Sequence, residues 1–432
     1  MDGYTAKKST SFETLVIQNI TNVNELKAKL SGIILAGEDY QYDVSDSMKV
    51  LLTSTDQDIV QLSIEAIAEL VKCEQKRDSY ANKSIIGPIL DILRKETVSD
   101  NIEMVKQCCR ALGNLCCDCD TSRRLIVSLE GIPLLVKLLE RSIDMRLDEI
   151  QTLASKTLLN FAIGGAEFTD IIFQAGIVDM VQRMLSIELK KDDFDDDTLS
   201  TCLLILSVIN DNTPELLYSE MVNKTILQVL RDSLNMEISE LCLDHLHSQA
   251  EHESVKTLIA KEGGVQLVCS RLEELVSRHT AGELNAADTE VDGCISSLVN
   301  MLVASHSLMQ NEAILALTLL AIESLKKLSP DSQTEFDYEK SFVEQLIKSE
   351  IGKHVTILID TNCAKMPVEV AENLLAFLDI TSKSNKLALD YKDAKVHECL
   401  MKFSDSRTDL TTDMKSCIFG VFSSITNNGK ND

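Results

Sequence analysis

Four groups of residues in this sequence have types and spacings that could carry chemistry. Cys108, Cys109, Cys116, Cys117 and Cys119, in VKQCCRALGNLCCDCD, offer thiols in close order, the raw material of a metal cluster or a redox pair. Their spacing is not that of paired CxxC motifs. Cys108, Leu112 and Leu115 also fall on one stripe of a helix, so packing as small hydrophobes is the better reading. His245, His247 and His252, in LDHLHSQAEHE, lack an acid or thiol at helical spacing that would complete tetrahedral geometry, and a groove-lining or surface role is expected. Asp192, Asp193, Asp195, Asp196 and Asp197, in KKDDFDDD, form an acidic run that would draw a cation. The same run is also what a solvated loop looks like. Asn114, Asn160 and Asn210 each close an apolar segment, and an amide offers both donor and acceptor to the backbone of an extended ligand. The plainer role for such an Asn is to satisfy local backbone groups. No GxxxxGK[ST], GxGxxG, HExxH or GxSxG motif occurs. A binding protein without catalytic residues, metal or cofactor is therefore expected.

The 432 residues carry 42 Lys+Arg against 68 Asp+Glu, a formal net charge of −26. That balance counts against nucleic acid, whose binding rests on cations neutralising phosphate, and favours a basic partner. Apolar residues are 44% of the chain, but aromatics only 4% with no Trp. The core must be Leu, Ile, Val, Ala, Met and Cys, which suits packed helices. Sixteen Gly and five Pro are too few for an all-β chain full of tight turns. Thirteen Cys, an odd number, fit a reducing compartment. No apolar run reaches the ~18 residues of a membrane span, and the start has no signal-peptide pattern. A cytoplasmic, soluble monomer without membrane insertion is expected.

The elements that must hold these residues recur. An apolar helix opens at EGIPLLVKLLE, where Pro133 sits in the first turn and its missing N–H costs nothing. Counterparts open at Ser84, Gly176, Asn223 and Gly264, which with Gly131 gives intervals of 47, 45, 47 and 41. Between them lie longer segments, VKQCCRALGNLCCD, IQTLASKTLLNFAIG and LSTCLLILSVIND. In the second, Ile150, Leu153, Ala154, Thr157, Leu158 and Phe161 trace one buried helical stripe. A third, short segment such as SRRLIVSLE or TDIIFQA completes each unit. Three helices per unit at periods in the forties define armadillo repeats. No unit buries its stripe alone, so stacked neighbours share one core and build a right-handed superhelix with a concave face lined by the long helices. The expectation is an all-α armadillo α-solenoid of about seven to eight repeats. Its parts are an N-terminal cap over 1–45, regular repeats over 46–278, an irregular junction over 279–292, and C-terminal repeats with a cap over 293–432. Later openings fall near Gly293, Gly352 and Ala394, with long helices from Met309, over Val368 to Thr381, and over Thr411 to Thr426.

RALGNLCCDCDTSRRLIVSLEGI, KTLLNFAIGGAEFTDIIFQAGIVDMVQRML and SLMQNEAILALTLLAIESL together resemble the smg GDS family, the armadillo-type GDP dissociation stimulators of small GTPases. The resemblance is best over 100–235 and 293–325. It implies binding of Rho-, Rap- or Ras-type GTPases with a polybasic, prenylatable tail. It also implies promotion of GDP loss by favouring the nucleotide-free state, and chaperoning around prenylation. Family members use groove asparagines for the GTPase and an acidic surface for the tail. Of the family's asparagine segments, Asn160 in LLNFAIG is the one good match and Asn114 the next; the candidate groove set is Arg110, Asn114, Asp118, Asn160, Asn210 and Asp211. The tail's electrostatic partner is Asp192, Asp193, Asp195, Asp196 and Asp197.

Two other functions compete. A general armadillo adaptor would bind extended basic segments without acting on a nucleotide. Its importin-like form pairs each groove Asn with a Trp, which this chain lacks. An enzyme using the thiols of Cys116 to Cys119 would be revealed by a turnover lost on Cys116→Ser.

Overall fold

Helix starts are written where a short polar side chain can take up free amides. Asp56 accepts from the N–H groups of Asp58 and Ile59, Asn101 from Met104, Ser219 from Val222 and Asn235 from Glu237. Gly176 opens its helix at φ 89°, a left-handed conformation that a side chain resists. The structure is a computed structural model describing residues 7–8, 10–17, 23–95, 101–271, 294–325, 338–363 and 365–427. Among these, every regular element is helical except a two-residue parallel pairing of Lys7–Lys8 with Tyr42–Asp43.

The chain forms two compact units, Met1–Glu262 and Gly263–Asp432. Unit 1 begins with α1 (Thr10–Ile17), α2 (Val23–Ala36) and α3 (Ser45–Leu51). The three-helix rhythm then runs long, short, opening. It comprises α4 (Gln57–Leu70), α5 (Glu74–Tyr80), α6 (Lys83–Lys95), α7 (Ile102–Cys116), α8 (Asp120–Ser128), α9 (Gly131–Met145), α10 (Asp148–Ala162), α11 (Ala166–Gln174) and α12 (Ile177–Glu188). It continues with α13 (Asp196–Asn212), α14 (Glu220–Asp232), α15 (Met236–Gln249) and α16 (Glu253–Lys261). The long helices α2, α4, α7, α10, α13 and α15 pack on one another in that order. Fully buried Ile64, Ile67, Leu112, Leu158, Phe161 and Leu206 mark their shared core. Each buried aliphatic side chain of this kind contributes about 1.5–3 kcal/mol.

Unit 2 holds residues 264–271 (α17), α18 (Cys294–Met301), α19 (Ser307–Ser324), α20 (Tyr338–Lys348), α21 (Ile351–Asn362), α22 (Val368–Thr381), α23 (Asn385–Asp393), α24 (Val396–Ser406) and α25 (Thr412–Asn427). Ile314, Leu317, Leu346, Leu358, Leu378 and Tyr391 lie in its core. Asp390 of α23 accepts the Gly352 N–H at the start of α21 (3.0 Å), tying two repeats together. The openings expected at Gly352 and Ala394 and the three long helices of this half coincide with α21, α24, α19, α22 and α25. Gly293 and the junction 279–292 lie outside the described residues. Among the described residues no helix is long and apolar enough to cross a membrane.

Candidate functional site

Ion pairs join successive long helices of unit 1. Lys27 of α2 reaches Asp56 (3.1 Å) and Asp58 (2.8 Å) at the start of α4. Glu69 of α4 meets Arg110 of α7, Lys106 of α7 meets Glu149 of α10 (2.6 Å), and Lys156 of α10 meets Asp197 of α13 (2.6 Å). Burial alone would raise the Glu69 carboxyl, but Lys72 and Arg110 outweigh it and hold it below its usual range. Hydrogen bonds to Glu149 and Glu103 raise Lys106. Every seam from α2 to α13 thus contains a cation of the chain itself. A cleft of about 380 Å³ between α7 and α10 is lined by Lys106, Gln107, Arg110, Glu149, Thr152 and Leu153, with its charges already matched.

Backbone contacts run alongside these pairs. Asn114 donates its amide to the Ala68 carbonyl of α4 (2.9 Å), and Asn160 donates to the Gly113 carbonyl of α7 (3.2 Å). Thr157 adds a bond to the Cys109 carbonyl (2.9 Å), and Gly113 leaves room for its side chain. The backbone carbonyl of Asn160 in turn accepts from Arg123 Nε (3.3 Å) and Nη2 (3.0 Å). Both asparagines therefore stitch repeats through Nδ2 and keep a half-exposed position on the face of the long helices, one turn from Arg110 in the case of Asn114. Arg110, Asn114 and Asn160 are brought together on adjacent helices. Asp118 sits beyond the end of α7 in a left-handed conformation (φ 47°), exposed, 4.0 Å from Arg77. Asp211 is exposed at the end of α13.

Asn210 corrects the ladder read from sequence. Only 5% of it is exposed, and it bonds to His245 Nδ1 (3.3 Å). Cys202, Leu206 and Ile209 of α13 take the places of Ala154, Leu158 and Phe161 of α10, and on that register Val208, not Asn210, stands where Asn160 does. The Asn near the end of α13 is displaced by two residues, which turns the third amide from the groove into the core. His245 is likewise a core residue rather than a groove or surface one. Its Nε2 lies 3.1 Å from Asn223 Oδ1, and burial lowers it to about 4, so the ring is neutral at pH 7. His247 is exposed and His252 half-buried.

Part of the acidic run is engaged by the fold. Asp195 stands at the N-terminus of α13 and accepts from the Thr198 hydroxyl (2.6 Å), Asp196 accepts from Asn235 Nδ2 (2.8 Å), and Asp197 pairs with Lys156. Carboxylates belong there because the amide end of a helix favours negative charge. Asp192, Asp193, Asp195, Asp196 and Asp197 are all exposed.

Sequence reasoning missed the seam between α13 and α15. A cleft of about 460 Å³ there is lined by Ser200, Leu204, Glu237, Glu240, Leu241 and Asp244. Glu237, Glu240 and Asp244 are exposed on one face of α15, and Leu204 and Leu241 supply an apolar wall. Ser207 donates to Asp244 (3.2 Å). No ion pair among the described residues involves the three carboxylates. The i, i+3, i+7 spacing of acids in MEISELCLDH, opposite buried Ile238, Cys242 and His245, was the available signal. Of the five thiols, Cys108, Cys109 and Cys116 are fully buried, Cys119 is buried and Cys117 is half-buried; burial pushes Cys109 and Cys116 up to about 12.

Stacked three-helix units presenting long helices, with the seams set out above, define an armadillo-repeat scaffold. No protein-family model matches the chain. It is 28% identical over 250 residues to the GTPase-GDP dissociation stimulator vimar of Drosophila melanogaster, covering 57% of this chain and 39% of that protein. It is 20% identical over 233 residues to Rap1 GTPase-GDP dissociation stimulator 1-B of Xenopus laevis, covering 52% and 37%. These relatives bear out the resemblance to the GDP dissociation stimulators carried by the motifs, over somewhat less than half of the relatives' length. Among solved structures, an engineered protein aligns with TM-score 0.65 and 18% identity over 97% of this chain and 99% of its own. A structure from work on the interaction between cadherin and beta-catenin aligns with TM-score 0.56 and 13% identity over 97% and 91%. At such identities these two support the fold alone.

Proposed function

We propose that the chain binds a small GTPase of Rho, Rap or Ras type and speeds loss of its GDP, with the α13/α15 cleft taking the GTPase's basic tail. The observation that carries this reading is the seam without a cation. Four neighbouring seams contain a Lys or Arg of the chain, whereas Glu237, Glu240 and Asp244 face a cleft whose matching cation has to come from a partner. The apolar wall of Leu204 and Leu241 suits the methylene stem of a lysine or arginine, which packs while its head stays with the acids. Asn114 and Asn160, in the α4/α7 and α7/α10 seams, each spend Nδ2 on the fold, and their carbonyl oxygens suit the N–H groups of a switch segment. Acceleration of GDP loss needs no catalytic side chain. It needs a surface with higher affinity for the nucleotide-free GTPase, by which the GDP-bound state is depopulated. A chain that covers the basic tail also keeps it from membranes, which is the physical content of a chaperone role around prenylation.

The test is release of fluorescent GDP from purified Rho- and Rap-type GTPases, each with and without its basic tail, at low and at physiological salt. Release should quicken only with the tail present, and less so as salt screens the contact. A GTPase that binds without releasing GDP faster would favour the adaptor function. One that does neither at low salt would sink both.

A further inference from the structure

In unit 1 a short helix stands between each long helix and the next opening helix after α4, α7 and α10. After α13 there is none, and residues 213–219 run to α14 without regular structure. Their anchorage is polar. Gln249 of α15, fully buried, accepts the Tyr218 N–H at Oε1 (3.0 Å) and donates Nε2 to the Leu216 carbonyl (2.7 Å). One turn back, His245 packs its ring 5.1 Å from that of Tyr218, which is 5% exposed. Asn223 Oδ1 can only accept, so His245 Nε2 carries the proton, and Nδ1 accepts from Asn210 Nδ2 of α13. Leu217 meanwhile faces solvent at 52% exposure.

We propose that residues 213–219 are a strap clasped by His245 and Gln249, and that occupancy of the α13/α15 cleft tightens the clasp; the second half rests on the cleft being the seat of a basic partner. α15 is the shared element. Glu237, Glu240 and Asp244 on one of its faces line the cleft, and Cys242, His245 and Gln249 on another are buried towards α13, α14 and the strap. Hydrogen bonds weaken within tenths of an ångström and a few tens of degrees, whereas apolar contacts tolerate sliding. A ligand that fixes α15 against α13 therefore steadies the Asn210–His245 bond, and through α15 the two Gln249 bonds. Local opening of the strap is the converse, and by linkage an opened strap lowers affinity in the cleft.

Hydrogen exchange of the full chain tests this. Gln249→Met, which keeps volume but removes both bonds, should raise exchange of the peptide spanning Tyr218 at least about tenfold, one lost hydrogen bond of ~1.4 kcal/mol. Amides of α10 should be unchanged. Exchange as in the wild type, or faster exchange everywhere in unit 1, overturns the clasp. In the wild type at low salt, hexalysine followed by fluorescence anisotropy should bind and slow exchange at 213–219. Binding without slowing overturns the linkage while leaving the cleft intact. Absence of binding refutes the cleft as a basic-partner seat and the linkage with it, and the clasp is then judged by the variant alone.

Discussion

Neutralising the cleft should cost affinity without costing fold. In Glu237→Gln/Glu240→Gln/Asp244→Asn the three side chains keep their size, and the amide oxygen introduced in place of the Asp244 carboxylate still accepts from Ser207, whose bond to Asp244 measures 3.2 Å. No ion pair of the chain is broken, since the three carboxylates take part in none among the described residues. Like charges on one helix face repel, so melting temperature should hold or rise slightly. A ligand cation in contact at about 4 Å is worth about 1 kcal/mol per carboxylate where water reaches the pair. Three such contacts give about 3 kcal/mol, roughly a 150-fold weaker Kd at low salt. With a screening length near 10 Å at about 0.1 M salt, the difference should shrink steadily as salt is added. Anisotropy titration of labelled hexalysine and of a basic-tailed GTPase reads both effects. Asp192→Asn/Asp193→Asn serves as control, because those residues lie in the exposed run rather than in the cleft, and it should shift Kd only a few-fold. Equal affinity of the triple variant and the wild type, or a larger loss in the control, would refute the reasoning that a seam without its own cation seeks one.

Other outcomes follow from single contacts. Asn160→Ala removes the bond to the Gly113 carbonyl and should lower stability by about 1 kcal/mol in urea titration; if Asn160 also meets the GTPase, binding weakens by a further ~1 kcal/mol, and unchanged Kd places it outside the interface. His245 is held neutral by burial, with its folded value near 4 against the ordinary 6.5. The unfolded chain therefore binds the proton first as pH falls below 6.5, and stability drops by about 1.4 kcal/mol per unit down to about 4. His245→Gln should lose this slope, so that the stability gap between variant and wild type narrows between pH 6.5 and 4.5; a gap independent of pH would contradict a neutral buried ring. Gly352→Ala should destabilise unit 2 by about 1–3 kcal/mol, since a Cβ there meets Asp390 Oδ2 at 2.7 Å, the Ala394 Cβ at 2.8 Å and the Asp390 carbonyl at 3.0 Å. Differential scanning calorimetry showing no loss would mean that α21 and α23 part without penalty.

The repeat is legible because it is a matter of local periodicity. The apolar stripe from Ile150 to Phe161, the glycine at 176 and Pro133 in a first turn each act within a few residues, and all stand where the spacing puts them. Asn114 and Asn160 are legible as a pair for the same reason, being set in matching stripes. Asn210 misleads because nearness to a helix end is not register, and two residues along a helix is a turn of about 200°. The contacts of the acidic run are not legible, because charge in sequence says nothing about which partner is at hand: Lys156 and Asn235 lie 41 and 39 residues from the aspartates they engage.

The sequence alone determined the helical class, the period, the cysteine-rich aliphatic core and a net charge of −26. These rest on composition and on interactions within one or two turns. Tertiary structure decided where that charge is available. Most seams satisfy their own acids with cations from a neighbouring repeat, and only stacking shows that Glu237, Glu240 and Asp244 are left facing a cleft. It also decided that His245 and Asn210 belong to the core. Both are questions of which side of a helix meets which neighbour, and a neighbour some forty residues away is chosen by packing rather than by any local pattern.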